Sequence, residues 1–349
     1  MINYKHYVPV LRWKQAEWLA LEDLDSEAKS FITPLIEFIP GKLETSDHAT
    51  SKRNISKTCE DISQRWGKAP IFIDLLHCPS QAVRVLNEIK PLALKMQLNL
   101  IPVVSPRQSQ HWRTAVSEFI NVRNPSICVR LNINDVVKND IKDKLNQLLG
   151  DLKVKPGMVS IVIDYGYIST QPKVTFSEVL FNLPYLKDWL TVSIIGGAFP
   201  KDLSGFRPGI HTHDRLDWGN WCEQVIQDGL SRLPAYGDYT IQHANYSEPP
   251  LRANFSASIR YAAKSHWVIM RGEGVFSDNS LGFAQYPAQA ALLREHDDFL
   301  GRDYSAGDRY IDTLGAQTAQ KGNAGSWLRA GINHHITLVV NELANFDEI

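Results

Sequence analysis

The sequence predicts an α/β fold: a (β/α)8 barrel of the TIM type with a C-terminal β/α elaboration. Three observations carry this. Short, β-rich apolar runs alternate with longer segments of helical period, which argues for parallel strands joined by helical crossovers. Eight such units occur, enough to close a barrel. No GxGxxG or GxxxxGK[ST] follows any run, so the nucleotide signatures of the rival, a doubly wound open sheet, are absent.

The elements follow in order. YVPVLRW (7–13) precedes KQAEWLALEDL (14–24), whose Ala16, Leu19, Ala20 and Leu24 share a helical face. ITPLIEF (32–38) leads to a helix over 55–66, and PIFIDLL (70–76) to one over 81–95. LNLIPVVSP (98–106) leads to a helix over 110–122, and SICVRLNI (126–133) to one over 135–149. SIVIDYGYI (160–168) leads to a helix over 176–189, and LTVSIIGGAF (190–199) to one over 218–230. AYGDYTI (235–241) is the eighth strand. The rhythm then breaks. FSASIRYAAKSHWVIMRGEG (255–274) reads as extended segments, an antiparallel addition near the eighth strand, followed by helices over 284–295, 308–319 and 326–343. The expectation is one domain over 1–349, with the barrel over about 7–245 and the extension over about 246–349.

The totals bound the function. The 349 residues are 44% hydrophobic and 21% charged, ordinary globular composition. A net charge of -1 gives no global support to a broad nucleic-acid surface, although a local basic cleft stays open. Cys59, Cys78, Cys128 and Cys222 form no CxxC pair, which fits reduced thiols in a cytoplasmic protein. The N-terminus lacks a signal-peptide pattern, and no run is long and apolar enough to span a membrane.

Barrels of this class bind ligands where the carboxyl ends of the strands and their loops converge. Those ends are polar here. The first strand brings Arg12, Trp13 and Lys14; the second Glu37; the third Asp74, with His77 soon after. The fourth brings Ser105 and Arg107, the fifth Arg130 and Asn132, the sixth Asp164 and Tyr165. The seventh ends on Gly196 and Gly197, and the eighth carries Asp238 and Tyr239. Buried carboxylates need partners, which Arg12, Lys14 and Arg130 can supply. Helix capping and internal ion pairs would explain the same acids without chemistry.

A mouth of this kind suits a phosphate-containing substrate. Glu37 and Asp74 would hold Mg²⁺ or Ca²⁺, which prefer oxygen ligands. Glu37, Asp74, Asp164 and His77 would form the catalytic set, with His77 as general acid or base. Arg12, Lys14 and Arg130 would clamp phosphate, with Asp238 also contacting substrate. Gly196 and Gly197 would either open backbone N–H groups to an anion or form a tight turn. Without a metal, two carboxylates could divide acid and base roles, as in glycosidases.

Other groups have plainer readings. His211 and His213 fall in what reads as an exposed loop rather than a metal site. The stretch from His296 to Asp298 reads as a solvated helix end, and Cys78 as a buried, inert thiol. Ser105 lacks the GxSxG setting of a nucleophile elbow.

The opening YVPVLRWKQAEWLALEDL with ITPLIEF, and the tail pieces SAGDRYI and GSWLRAGINHHITLV, resemble the ends of phage and bacterial beta family proteins. That resemblance implies a setting in phages or defence-related regions of bacterial genomes. It carries no catalytic set, and it leaves His334 and His335 either facing the mouth or packing within the tail. Two functions stay open: a phosphodiesterase-type hydrolase acting on nucleic acid or a nucleotide, or a non-catalytic scaffold recognising a protein partner. The first expects Glu37, Asp74, Asp164 and Arg130 to converge on one pocket. The second expects a plugged mouth with aromatic exposed loops.

Overall fold

The eight apolar runs become eight parallel strands that close on themselves. The computed structural model describes residues 3–43, 47–120, 126–227, 229–247, 254–316 and 320–346. Its strands are β1 (Tyr7–Leu11), β2 (Leu35–Glu37), β3 (Ile71–Asp74), β4 (Leu100–Val104), β5 (Ile127–Asn132), β6 (Val159–Tyr167), β7 (Thr191–Gly197), β8 (Gly209–Asp214), β9 (Ala235–Asp238), β10 (Ser256–Ala262) and β11 (His266–Gly274). The barrel order is β1 to β7 and then β9. It closes through Tyr7↔Tyr236, Val8↔Gly237 and Pro9↔Asp238. Both faces of each barrel strand are covered, so the runs read as continuously apolar rather than alternating. Val8, Val10, Leu35, Phe72, Val103 and Val162 fill the interior. The alternate residues, such as Leu11, Ile36, Ile73, Val129 and Ile163, pack against the helices.

The helices after β1 to β7 follow the predicted rhythm with adjusted ends. The helix expected over 135–149 is two, Ile133–Val136 and Ile141–Leu152. The one expected over 176–189 stops at Asn182, because Leu183 precedes Pro184 and takes an extended conformation. Residues 121–122, 228 and 317–319 of the expected helices lie outside the described residues.

Two expectations need correction. His211 and His213 do not lie in a loop. They sit on β8, which follows β7 and pairs antiparallel with β11 to make a three-stranded sheet, β10-β11-β8. A closed barrel offers no edge, so the 255–274 hairpin adds to this inserted strand instead. Nor does the extension run to the end of the chain. The last helix, Ala324–Ala344, packs on the first helix, Gln15–Glu22, and on β1. Asn333 Nδ2 donates to Ala20 O at 3.1 Å, and His335 Nε2 lies 2.8 Å from Asp238 Oδ2 on β9. This helix therefore takes the place of the barrel's eighth helix, and the material between β9 and it is an insertion.

That insertion has its own core. Ala257, Ile259, Tyr261, Val268 and Met270 on one sheet face pack against the helices Gln285–Arg294 and Ala306–Gly315 and the start of the last helix. The opposite face turns Trp267 and Ile269 toward the barrel, where Trp267 meets Phe199 edge to face at 5.2 Å. No helix among the described residues is long and apolar enough to cross a membrane. All four cysteines are free.

Candidate functional site

Arg130 stands at the centre of the barrel mouth and gathers carboxylates from three other strands. The register explains why. Glu37 pairs with Asp74 and Asn132 with Asp164, which puts the acids in one layer at the strand ends. Arg130 starts one inward position deeper, opposite Val162, and its long side chain rises into that layer. Its Nη1 donates to Glu37 Oε1 and to Asp74 Oδ2, both at 2.8 Å, and its Nη2 donates to Asp164 Oδ2 at 2.7 Å. Nη2 also donates to the Tyr239 hydroxyl at 2.7 Å, and that hydroxyl donates to Asp164 Oδ2 at 2.9 Å.

The electrostatics follow from this packing. Burial alone would raise the Glu37 carboxyl, but Arg130, a hydrogen bond to His77 and the charge on Arg12 pull it down to about 2. Asp74 moves the other way: burial raises it, and Arg130 only partly offsets that. Burial also opposes the charge on Arg130, yet Tyr239 and the surrounding acids hold it well above its ordinary value. The sequence pointed to a divalent cation between Glu37 and Asp74. There, Arg130 Nη1 bonds to both acids, so a guanidinium fills the position the ion would take.

The rest of the mouth is closed by the chain after β9. Thr240 has φ +57°, an unusual value for a β-branched residue, and its N–H donates to Asp238 Oδ1 at 2.8 Å. The chain turns back there, and Ala244 joins the barrel's interior cluster. Arg12 Nη2 donates to the carbonyls of His243 at 2.7 Å and Ala244 at 2.9 Å, while its Nε lies 3.6 Å from Glu37 Oε2. His77 Nε2 is 3.2 Å from Glu37 Oε2, and its ring lies 5.4 Å from that of Tyr246. Lys14 Nζ sits over the Tyr246 ring at 4.9 Å.

Glu37, Asp74, Asp164, Arg12, Arg130 and His77 are thus brought together. Asp238 is not among them. It points to the outer face of β9, fully buried, where it accepts from Tyr7, from Tyr236 at 3.0 Å and pairs with His335. Gly196 and Gly197 form neither a turn nor an anion nest, because both lie within β7. A Cβ on Gly196 would strike Ile168 Cδ1 at 2.5 Å, and one on Gly197 would crowd Tyr239 at 3.0 Å, so they make room for those side chains. His334 and His335 are both buried: His334 lies 2.7 Å from Asp308 Oδ2 and stacks on Tyr261.

A second space adjoins the plugged mouth. Between the loop over 241–247, the loop after β7 and the polar face of the inserted sheet lies a cleft of about 710 Å³. Arg12, Lys14, Lys201, Arg260 and Arg271 line it against a single acid among the described residues, Asp202. Arg260 Nη1 donates to Ile241 O at 3.0 Å, and Arg271 Nε donates to Leu203 O at 3.1 Å. Among the described residues neither has a carboxylate partner. Burial without a counter-charge lowers both, Arg260 to about 10.

A model of the family described as Beta protein matches residues 7–341. The chain belongs to the Beta protein family. Protein beta of Enterobacteria phage P4 is 22% identical over 352 residues, which cover 96% of this chain and 92% of that protein. Solved structures similar to this chain include a type I 3-dehydroquinate dehydratase from Clostridium difficile. That enzyme is 9% identical, with a TM-score of 0.40 over 70% of this chain and 88% of its own. Another is a DUF72 family protein from Enterococcus faecalis, 11% identical, with a TM-score of 0.34 over 70% of this chain and 93% of its own.

In this family member Arg260, Arg271, Lys201 and Tyr246 line the cleft without standing out as site candidates in the sequence. A signal existed for Arg260. In FSASIRYAAKSHWVIMRGEG, Ser256, Ser258 and Arg260 alternate with Ala257, Ile259 and Tyr261, which marks one polar sheet face.

Proposed function

We propose that the protein binds a phosphate-bearing ligand in the cleft between the barrel mouth and the inserted sheet. The observation that carries this is the pair Arg260 and Arg271: two partly buried guanidiniums that face a cavity and lack a carboxylate partner among the described residues. Taking a cation out of water without a counter-ion is costly, and an anion in the cleft offsets that cost. Guanidinium also matches phosphate oxygens in a bidentate way. On this reading the Arg130 cluster is framework, and the plugged mouth supports recognition over chemistry deep in the barrel. The phage-encoded relative supports a setting in phage–host conflict.

The test is thermal unfolding with added pyrophosphate. Wild type should gain about 2.7 kcal/mol at a hundredfold excess over the dissociation constant. The Arg260→Gln/Arg271→Gln variant should gain nothing. Equal stabilisation of both proteins would sink the reading.

Hydrolysis of the bound ligand is a second reading, favoured by one observation. His77 is partly exposed, packs against the cleft-lining Tyr246 and lies against the ionised Glu37, the arrangement that orients an imidazole as a general base. His77→Gln would then abolish turnover and leave pyrophosphate binding intact.

A further inference from the structure

The cleft has a second property beside its charge. An aromatic series runs from its floor out to solvent. Trp327 stacks on Tyr286 at 5.2 Å, and Tyr286 lies parallel to Phe283 at 6.4 Å. Phe283 meets Phe255 at 6.3 Å and Phe276 at 6.5 Å, and Phe255 meets Phe276 at 5.7 Å. Trp327, Tyr286 and Phe255 line the cleft itself. The outer rings are uncovered: Phe276 is 66% exposed and Phe255 38%.

These exposed rings are held in place. Asn254 Oδ1 accepts from Phe276 N at 2.9 Å, and its Nδ2 donates to Ser277 Oγ at 2.9 Å. Gln285 Oε1 accepts from Glu273 N at 2.8 Å, while its Nε2 donates to Gly282 O at 3.0 Å. Polar clamps at both ends of one segment hold this cluster of apolar rings partly in water. A contiguous exposed apolar patch of this kind marks a candidate binding surface.

We infer that the cleft takes single-stranded nucleic acid, its phosphates along Arg260 and Arg271 and its bases stacked on Phe255, Phe276 and Phe283. This rests on the phosphate-binding reading above and narrows its ligand. A basic groove beside aromatic faces is what a single strand requires, because every base has a face to stack and every linkage carries a charge. A duplex hides its base faces and leaves the rings unused. Glu273 and Asp278 flank Phe276 in the chain and are exposed; their charge favours phosphates on the arginine side and bases toward the rings.

The experiment is fluorescence anisotropy of a labelled oligothymidylate with the full chain across a salt series. Oligothymidylate should bind much more tightly than thymidine monophosphate, and duplex DNA should compete poorly. Phe276→Ala removes an exposed ring and leaves the core intact. It should weaken oligothymidylate about tenfold, the loss expected for one base stack, and leave pyrophosphate binding unchanged. Arg260→Gln/Arg271→Gln should flatten the log–log salt slope by about 1.4, at about 0.7 per phosphate contact.

If pyrophosphate binds through the arginines but oligothymidylate binds no better than the monophosphate, or Phe276→Ala binds like wild type, this inference falls and the phosphate reading stands. Equal competition by duplex, polyglutamate or anionic vesicles overturns it too. If neither pyrophosphate nor oligothymidylate responds to loss of the two arginines, both fall together.

Discussion

At the residue scale, the mouth is a problem in charge balance. Three carboxylates, Glu37, Asp74 and Asp164, share one central guanidinium, with Arg12 supporting Glu37 from the side. The Glu37 shift makes this visible in stability. Its folded value of about 2 lies below the ordinary 4.5, so its contribution is fully present above pH 4.5 and is lost as pH falls toward 2. A shift of that size corresponds to about 3 kcal/mol. Asp74 has the opposite sign: its raised value favours the folded state below its ordinary 3.8 and loses that advantage as pH rises. Glu37→Gln should therefore cost about 3 kcal/mol at pH 7 and little near pH 2, read as urea midpoints across a pH series. A cost independent of pH would assign Glu37 a packing role only. Asp164, at the end of the apolar run SIVID, was legible as a polar group at a strand end. That it serves Arg130 was not, because convergence on one guanidinium depends on strand register.

At the element scale, close backbone approach holds the insertion to the barrel. Gly307, in the helix Ala306–Gly315, lies against the last helix, and a Cβ there would sit 2.1 Å from Ala330 O and 3.1 Å from His334 N. Its own N–H donates to Asn333 Oδ1 at 2.8 Å. Gly307→Ala must push two helices apart and should cost about 1–3 kcal/mol. Gly150, inside the helix Ile141–Leu152, has no atom near its added Cβ, so Gly150→Ala should be neutral or stabilise by up to about 1 kcal/mol. Urea unfolding of the two variants separates the cases; similar costs would show that helix contact at Gly307 yields freely. Elements with strong local signals were readable, as in the apolar runs and the helices of clear period. β8 was not. In GIHTHD every second residue is exposed, Pro208 precedes it, and its partner β11 lies far along the chain.

At the scale of the whole molecule, the barrel is discontinuous in sequence. Eight strands and seven crossovers are local and could be counted along the chain. The eighth helix follows its strand only after the insertion, and no local pattern says that a late helix returns to close an early wall. The face of β9 was likewise unreadable: both sides are buried, so nothing in AYGDYTI says that Tyr239 points in and Asp238 out. The split has an energetic consequence. Ile332, Ile336, Val339 and Leu343 of the last helix are buried in the core that covers the barrel wall. Each is worth about 1.5–3 kcal/mol on burial, and together they rival the roughly 5–15 kcal/mol net stability of a typical domain. Without that helix Asp238 also loses His335 and Ala20 O loses Asn333. A fragment ending at Ser247 should therefore show no cooperative unfolding transition, although it contains all eight barrel strands. Tyr246 and Ala324 line the same cleft, so a Gly/Ser linker replacing residues 248–320 can bridge them. That deletion should regain a cooperative transition, because the eighth helix is back, and should lose pyrophosphate binding, because Arg260 and Arg271 are gone. Calorimetry of the two proteins decides it: a fragment ending at Ser247 that unfolds as cooperatively as the full chain would mean that the last helix is an accessory and the barrel ends at β9.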